Sequence, residues 1–137
     1  MERRVIEQKL ESLRRCVQRI QEKMPPTSAV FISDLDAQDI ISLNIERAVQ
    51  QCIDVAAHIL SEEDTVSGQS AAGLFHDLVT KKVLSQQTGI QLSRAAGFRN
   101  LLVHRYATID WKRVFLSLKN ELDIFSLFIK EISEKHL

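Results

Sequence analysis

Between Arg99 and Tyr106 the chain reads Arg-Asn-Leu-Leu-Val-His-Arg-Tyr. This puts a fixed guanidinium cation, an imidazole that titrates near neutrality and a phenol within two helical turns. Residues five apart on an ideal helix point roughly 140° away from each other. Arg99 and His104 therefore share no face in mid-helix. Two arrangements bring them together. Either the helix ends or frays near Val103 and His104 turns back, or two copies of the stretch meet across a dimer. If the chain is extended after His104, Tyr106 projects to the same side. A histidine at a helix C-terminus is favoured in its protonated form and suits general acid–base work. A fixed arginine suits a phosphate, both before reaction and as charge builds in the transition state. Together they suit metal-independent cleavage of RNA, in which the 2′-hydroxyl is the nucleophile and the product ends in a 2′,3′-cyclic phosphate. From Arg94 to Arg113 the chain also carries Arg99, Arg105 and Lys112, set against Asp110 alone, which adds local positive charge for a polyanion.

The same residues fit a plainer arrangement: a capped helix end, a solvated basic face, and a tyrosine with its ring in the core and its hydroxyl in water. His58, His76 and His136 lack an arginine nearby in sequence and read as non-catalytic. No phosphate-cradling glycine loop, metal-ligand cluster or Ser/His/Asp arrangement stands out.

The elements that must position this stretch read as helices. Ile6, Leu10, Leu13, Val17, Ile20 and Met24 are spaced by threes and fours, which predicts a helix from Glu2 to Lys23, ended by Pro25 and Pro26. Ser28 to Phe31 reads as a connection. A second helix is expected from Asp36 as N-cap, with Leu35 stapled to Ile40 and Asp39 favouring the positive helix end. Its stripe of Ile41, Ile45, Ala48, Cys52, Val55 and Ile59 widens over most of the circumference. That predicts a helix central to a bundle or shared with a partner subunit, and leaves Asn44, Arg47 and Gln51 as a polar strip. The run Ser61 to Gln69, with Gly68, reads as a flexible loop. A short third helix follows Ser70, with Leu74, Phe75, Leu78 and Val79 inward. The fourth starts near Ser85 or Thr88 and ends near His104. Thr88 to Gln91 has capping-box form, against which Gly89 counts. Ala107 to Ile109 connects to a fifth, long helix capped by Asp110, with Ile109 stapled to Val114. Phe115, Leu118, Leu122, Phe125, Ile129 and Ile132 give that helix a three-four alternation. No segment alternates as a strand does. The expected fold is all-α, an antiparallel bundle of four long helices and one short one.

The chain has 137 residues, one domain by length, 45% hydrophobic and 26% charged, with zero formal net charge. That balance argues against a general nucleic-acid coat protein and leaves room for a local basic site. Cys16 and Cys52 have no metal-ligand spacing and fall on apolar helix faces, as reduced core residues of a cytoplasmic protein do. No apolar signal core or membrane-spanning run is present, so no membrane partner is expected.

Arg99 to Tyr106 resembles the Arg-x4-His-x-Tyr signature of HEPN-domain proteins, and in particular that of HepT-like toxins. Ala96-Gly97-Phe98 before it is similar to that family's small-Gly-apolar element, and Asn44 to Leu60 to its helix entering the dimer core. The resemblance covers nearly the whole chain. It implies a single HEPN-like helical domain over residues 1–137, working as a homodimeric endoribonuclease whose two motifs face each other across a cleft. Arg99 and His104 would be the catalytic pair, and Asn100 the polar neighbour that helps position it. Catalysis would use no metal or cofactor. The resemblance also implies a toxin of a type II-like toxin–antitoxin pair. Its partner would be a minimal nucleotidyltransferase antitoxin of the MNT type, which transfers AMP from ATP to Tyr106. An anionic adduct there would block the cleft and repel RNA. Arg105 fills the variable position and receives no catalytic role. Two other functions stand beside this one. One is a non-catalytic subunit that docks a nucleotidyltransferase and holds its nucleotide, with Arg99 and His104 binding phosphate only. The other is a dimeric bundle whose motif is structural. Loss of RNA cleavage in His104→Ala separates the first from both.

Overall fold

The computed structural model describes residues 2–62 and 70–137. The first helix, α1 (Glu2–Lys23), buries Ile6, Leu10, Leu13, Val17 and Ile20 at the expected spacing. Each such side chain contributes roughly 1.5–3 kcal/mol when fully buried. The segment after the prolines is not a bare connection. It forms a short helix, α2 (Ser28–Ser33), whose N-cap Thr27 accepts a hydrogen bond from the Val30 N–H at 3.3 Å. Six residues are too few to show a period, so its existence rests on one anchor, the fully buried Phe31.

The next helix, α3 (Leu35–Glu62), begins two residues earlier than an Asp36 cap would place it. Asp34, not Asp36, accepts the orphan Ala37 N–H, at 3.0 Å. The shift removes the Leu35–Ile40 staple, and Leu35 is 70% exposed. Gln38 is buried instead and donates to the carbonyls of Phe31 and Ile32, both at 2.9 Å, closing the end of α2. Asn44 does not join a polar strip; it is buried and donates to its own helix at the Ile40 carbonyl, 2.8 Å away. α3 runs on through Ser61 and Glu62. Residues 63–69, the rest of the expected loop with Gly68, lie outside the described residues.

Two serines cap the next two helices near the starts the sequence predicts. Ser70 accepts the Gly73 N–H at 3.1 Å and starts α4 (Ala71–Thr80); Ser85 accepts the Thr88 N–H at 3.2 Å and starts α5 (Gln86–His104). Thr88 is thus inside the helix. A 3-10 turn (Tyr106–Thr108) follows α5. Asp110 accepts the Arg113 N–H and opens α6 (Trp111–Glu121), which α7 (Asp123–His136) succeeds.

The expected single long helix is therefore two. At the junction the Phe125 N–H bonds the Leu122 carbonyl three residues back, while Leu122 keeps right-handed helical dihedrals of −62° and −24°. An apolar period reports side-chain direction, and a junction of this kind barely changes it. The alternation of Phe115, Leu118, Leu122 and Phe125 accordingly runs straight across the break.

α3 lies at the centre, packed by α1 along its length and also by α2, α4 and α5. α2 lies on α6, and α7 on α1 and α5. The girth of α3 is thus mostly used inside the bundle, although Leu43 remains 45% exposed. Cys16 and Cys52 are free and buried, and burial raises the Cys52 thiol well above its usual range, so neither is a ready nucleophile. No helix among the described residues is long and apolar enough to cross a membrane.

Candidate active site

α5 carries the motif, and its start is the best-held part of it. The Glu131 carboxylate of α7 accepts the Ser85 N–H at 2.6 Å and the Thr88 hydroxyl at 2.7 Å. A carboxylate there meets both the orphan N–H groups and the positive end of the helix dipole. Gly89 lets α4 come close: a Cβ on it would lie 2.5 Å from Val79 Cγ2. The glycine that counts against a helix start is in fact inside the helix, required by that approach.

Along one side of α5 stand Leu92, Ala96, Arg99 and Val103, spaced four, three and four, so they share one face. Leu92 and Ala96 are buried, Arg99 is half-buried, and Val103 is 49% exposed. The core thus gives out along the stripe just where Arg99 stands. Its guanidinium makes no hydrogen bond or ion pair with any described residue. Asn100 is exposed beside it.

His104 is the last residue of α5 and is exposed; the Arg105 N–H still closes a helical bond to the Leu101 carbonyl at 2.8 Å. The helix therefore does not fray at Val103. Within one chain Arg99 and His104 stay roughly 140° apart in direction. Because the helix keeps its bonds through His104, the turned-back histidine, one of the two arrangements expected from the sequence, is not found.

The chain is not extended after His104 either. Arg105 adopts φ −136° and ψ 39°, and the 3-10 turn swings Tyr106 back towards α3. There its hydroxyl donates to Asp39 Oδ1 at 2.5 Å. The ring stands edge-on to Trp111, with centroids 5.3 Å apart, and Trp111 stands edge-on to Phe31 at 5.5 Å. Tyr106 remains 38% exposed. Desolvation, then the hydrogen bond to Asp39 and its negative charge, push the phenol up to about 12, with Glu46 adding in the same direction and the Ser42 hydroxyl opposing.

Asp39 is the site residue that sequence reasoning missed. Its place near the start of α3 had been accounted for by the helix dipole, and nothing local pairs it with a tyrosine 67 residues away. Asp54, by contrast, is occupied by Lys9 at 3.2 Å and Gln50 at 2.8 Å, and neither residue belongs to the motif.

Beside α5, on the side away from Arg99, two shallow cavities run between it and α6. One, of about 230 Å³, is lined by Arg94, Phe98, Leu118 and Phe125 among others; the next, of about 320 Å³, by Leu101, Arg105 and Arg113. Arg94 and Arg105 thus sit on a different side from Arg99. Among the described residues no group of three or more His, Cys, Asp or Glu is arranged to hold a metal ion.

The family model described as ribonuclease HepT-like matches residues 6–132. The mRNA nuclease HepT of Shewanella oneidensis is 30% identical over 128 residues, covering 93% of this chain and 96% of the relative. The tRNA nuclease HepT of Aphanizomenon flos-aquae is 26% identical over 129 residues, covering 94% and 88%. Among solved structures, a tri-AMPylated Shewanella oneidensis HEPN toxin in complex with an MNT antitoxin superposes with a TM-score of 0.89 at 29% identity, covering 96% of this chain and 98% of that one.

Proposed function

The chain belongs to the ribonuclease HepT-like family, and from that premise we propose that it is the toxin of a type II-like toxin–antitoxin pair: a cytoplasmic, metal-independent endoribonuclease silenced by AMPylation of Tyr106. The chain is read as one HEPN-like domain over residues 1–137. Two copies form the working unit, and each motif faces the other across a cleft.

One observation carries this reading. α5 stays helical through His104, which leaves an exposed imidazole and a half-buried guanidinium, unpaired among the described residues, on diverging faces of one chain. A second copy resolves that divergence. It also gives cover to Val103, apolar and half exposed on the very stripe that buries Leu92 and Ala96. A large apolar side chain exposed on a core-facing stripe is what an association surface presents.

In the cleft Arg99 holds the scissile phosphate and stabilises the charge that builds on it. His104, at the negative end of α5, takes the proton of the 2′-hydroxyl or returns one to the leaving 5′-oxygen. The 2′-oxygen attacks phosphorus, the bond to the 5′-oxygen breaks, and a 2′,3′-cyclic phosphate remains. Asn100, next to Arg99, helps position the pair. The nuclease needs no cofactor. ATP enters only as the AMP donor used by the partner, an MNT-type nucleotidyltransferase antitoxin. The AMP on Tyr106 stands two residues from His104 and adds an anion where RNA must enter.

The test is an RNA cleavage assay in EDTA, with protein confirmed by mass to carry a bare Tyr106, beside His104→Ala. Cleavage by the wild type alone, with cyclic ends, is the expected result. A folded dimer that leaves total cellular RNA intact would instead be a docking subunit that binds phosphate without cutting it.

A further inference from the structure

The Tyr106 hydroxyl is not simply exposed to a partner enzyme; it is already paired. We propose that Asp39 is the general base for adenylyl transfer onto Tyr106, so that the acceptor chain brings its own proton acceptor to the reaction. This rests on the modification of Tyr106 argued above and adds a residue to it.

The geometry is specific. Asp39 Oδ1 accepts the phenolic hydrogen directly, and Asp39 makes no ion pair with any described residue. The ring is held by its edge-on contact with Trp111, which Phe31 backs in turn, so the phenol oxygen has a fixed position. One helical turn beyond Asp39, the Ser42 hydroxyl is buried, only 4% exposed, and has no hydrogen-bond partner. It acts on the phenol in the direction that favours the phenolate.

The step balances. The Tyr106 oxygen attacks the α-phosphorus of ATP and forms a new P–O bond. The bond from that phosphorus to the bridging oxygen of the β-phosphate breaks, and pyrophosphate leaves. The phenolic proton passes to Asp39. As the P–O bond forms, the acidity of the phenol rises steeply, so a carboxylate too weak to ionise the free phenol is strong enough in the transition state.

A purely structural latch would also place Asp39 here, and two variants separate the roles. Asp39→Asn keeps an oxygen that accepts the phenol's hydrogen bond but cannot take its proton. Asp39→Glu keeps the base and moves it by one methylene. Full-length toxin variants are mixed with the antitoxin, ATP and magnesium, and AMP on Tyr106 is followed by intact mass. The expected result is a fall of about 10²-fold or more in kcat for Asp39→Asn, with KM for the toxin little changed, and partial rescue by Asp39→Glu. The far-UV circular dichroism of Asp39→Asn matches that of the wild type, which shows that the fold is intact. Transfer to Asp39→Asn at the wild-type rate would overturn the proposal. Wild-type toxin that takes up no AMP at all would overturn the modification reading itself.

Discussion

The N-terminal half of α5 buries Thr88, Gly89, Leu92 and Ala96 and is tied to α7 through Glu131, whereas from Leu101 to Tyr106 most side chains are exposed. Both halves belong to one continuous helix and its immediate exit. The first half sets where α5 lies; the second carries Arg99 and His104, the residues proposed for catalysis. Sites built on a helix are held more precisely than sites on a loop, provided the helix is anchored elsewhere. Anchoring and chemistry are thus separated along one element, so they should be separable by mutation.

The largest effect is expected at the exposed end. His104→Ala should lower RNA cleavage by about 10²–10⁴-fold, and Arg99→Ala by about 10²–10³-fold, with little change in Tm. A large loss of Tm in either would break the comparison. Leu92→Ala should do the reverse, costing about 2–5 kcal/mol in denaturant unfolding while leaving kcat of the folded fraction near the wild type. Gly89→Ala forces its new methyl onto Val79 Cγ2 and should cost about 1–3 kcal/mol. No loss there would mean that α4 can back away from α5. The smallest effect sharpens the boundary between the halves. Tyr106 is the chain's single tyrosine, so phenolate absorbance reports it alone. Its midpoint should fall near pH 12, against about 10 for a free phenol, and return towards 10 in Asp39→Ala. Because the folded state holds this proton more tightly, the contribution to stability is complete below about pH 10. It is lost as pH rises through about 12.

What could be read from the sequence follows the range of the interactions. Asp110 was legible as a cap, and Ser70 and Ser85 as helix starts, because a cap bonds an N–H three residues on. The end of α5 at His104 and the all-helical fold were legible from spacing. The motif was legible as residue types, but its geometry was not: Arg105 turns the chain into a 3-10 turn that no composition signal marks, and Tyr106 goes to α3 instead of standing beside His104. Asp39 and Glu131 were invisible for the same reason, since each acts on a residue more than forty positions away. α2 was missed because one buried phenylalanine makes no period, and the break at Leu122 because a helical junction leaves the period intact.

The edge-on pair of Tyr106 and Trp111 has a practical consequence. Trp111 is the chain's single tryptophan, and its ring centroid lies 5.3 Å from that of its single tyrosine. Excitation absorbed by the phenol passes to the indole at that range, and anything that displaces the phenol or charges its surroundings changes indole emission. The molecule therefore carries its own fluorescent gauge of the Tyr106 state, readable without a label, and a rapid-mixing experiment with the proposed nucleotidyltransferase partner can follow the proposed modification as it happens.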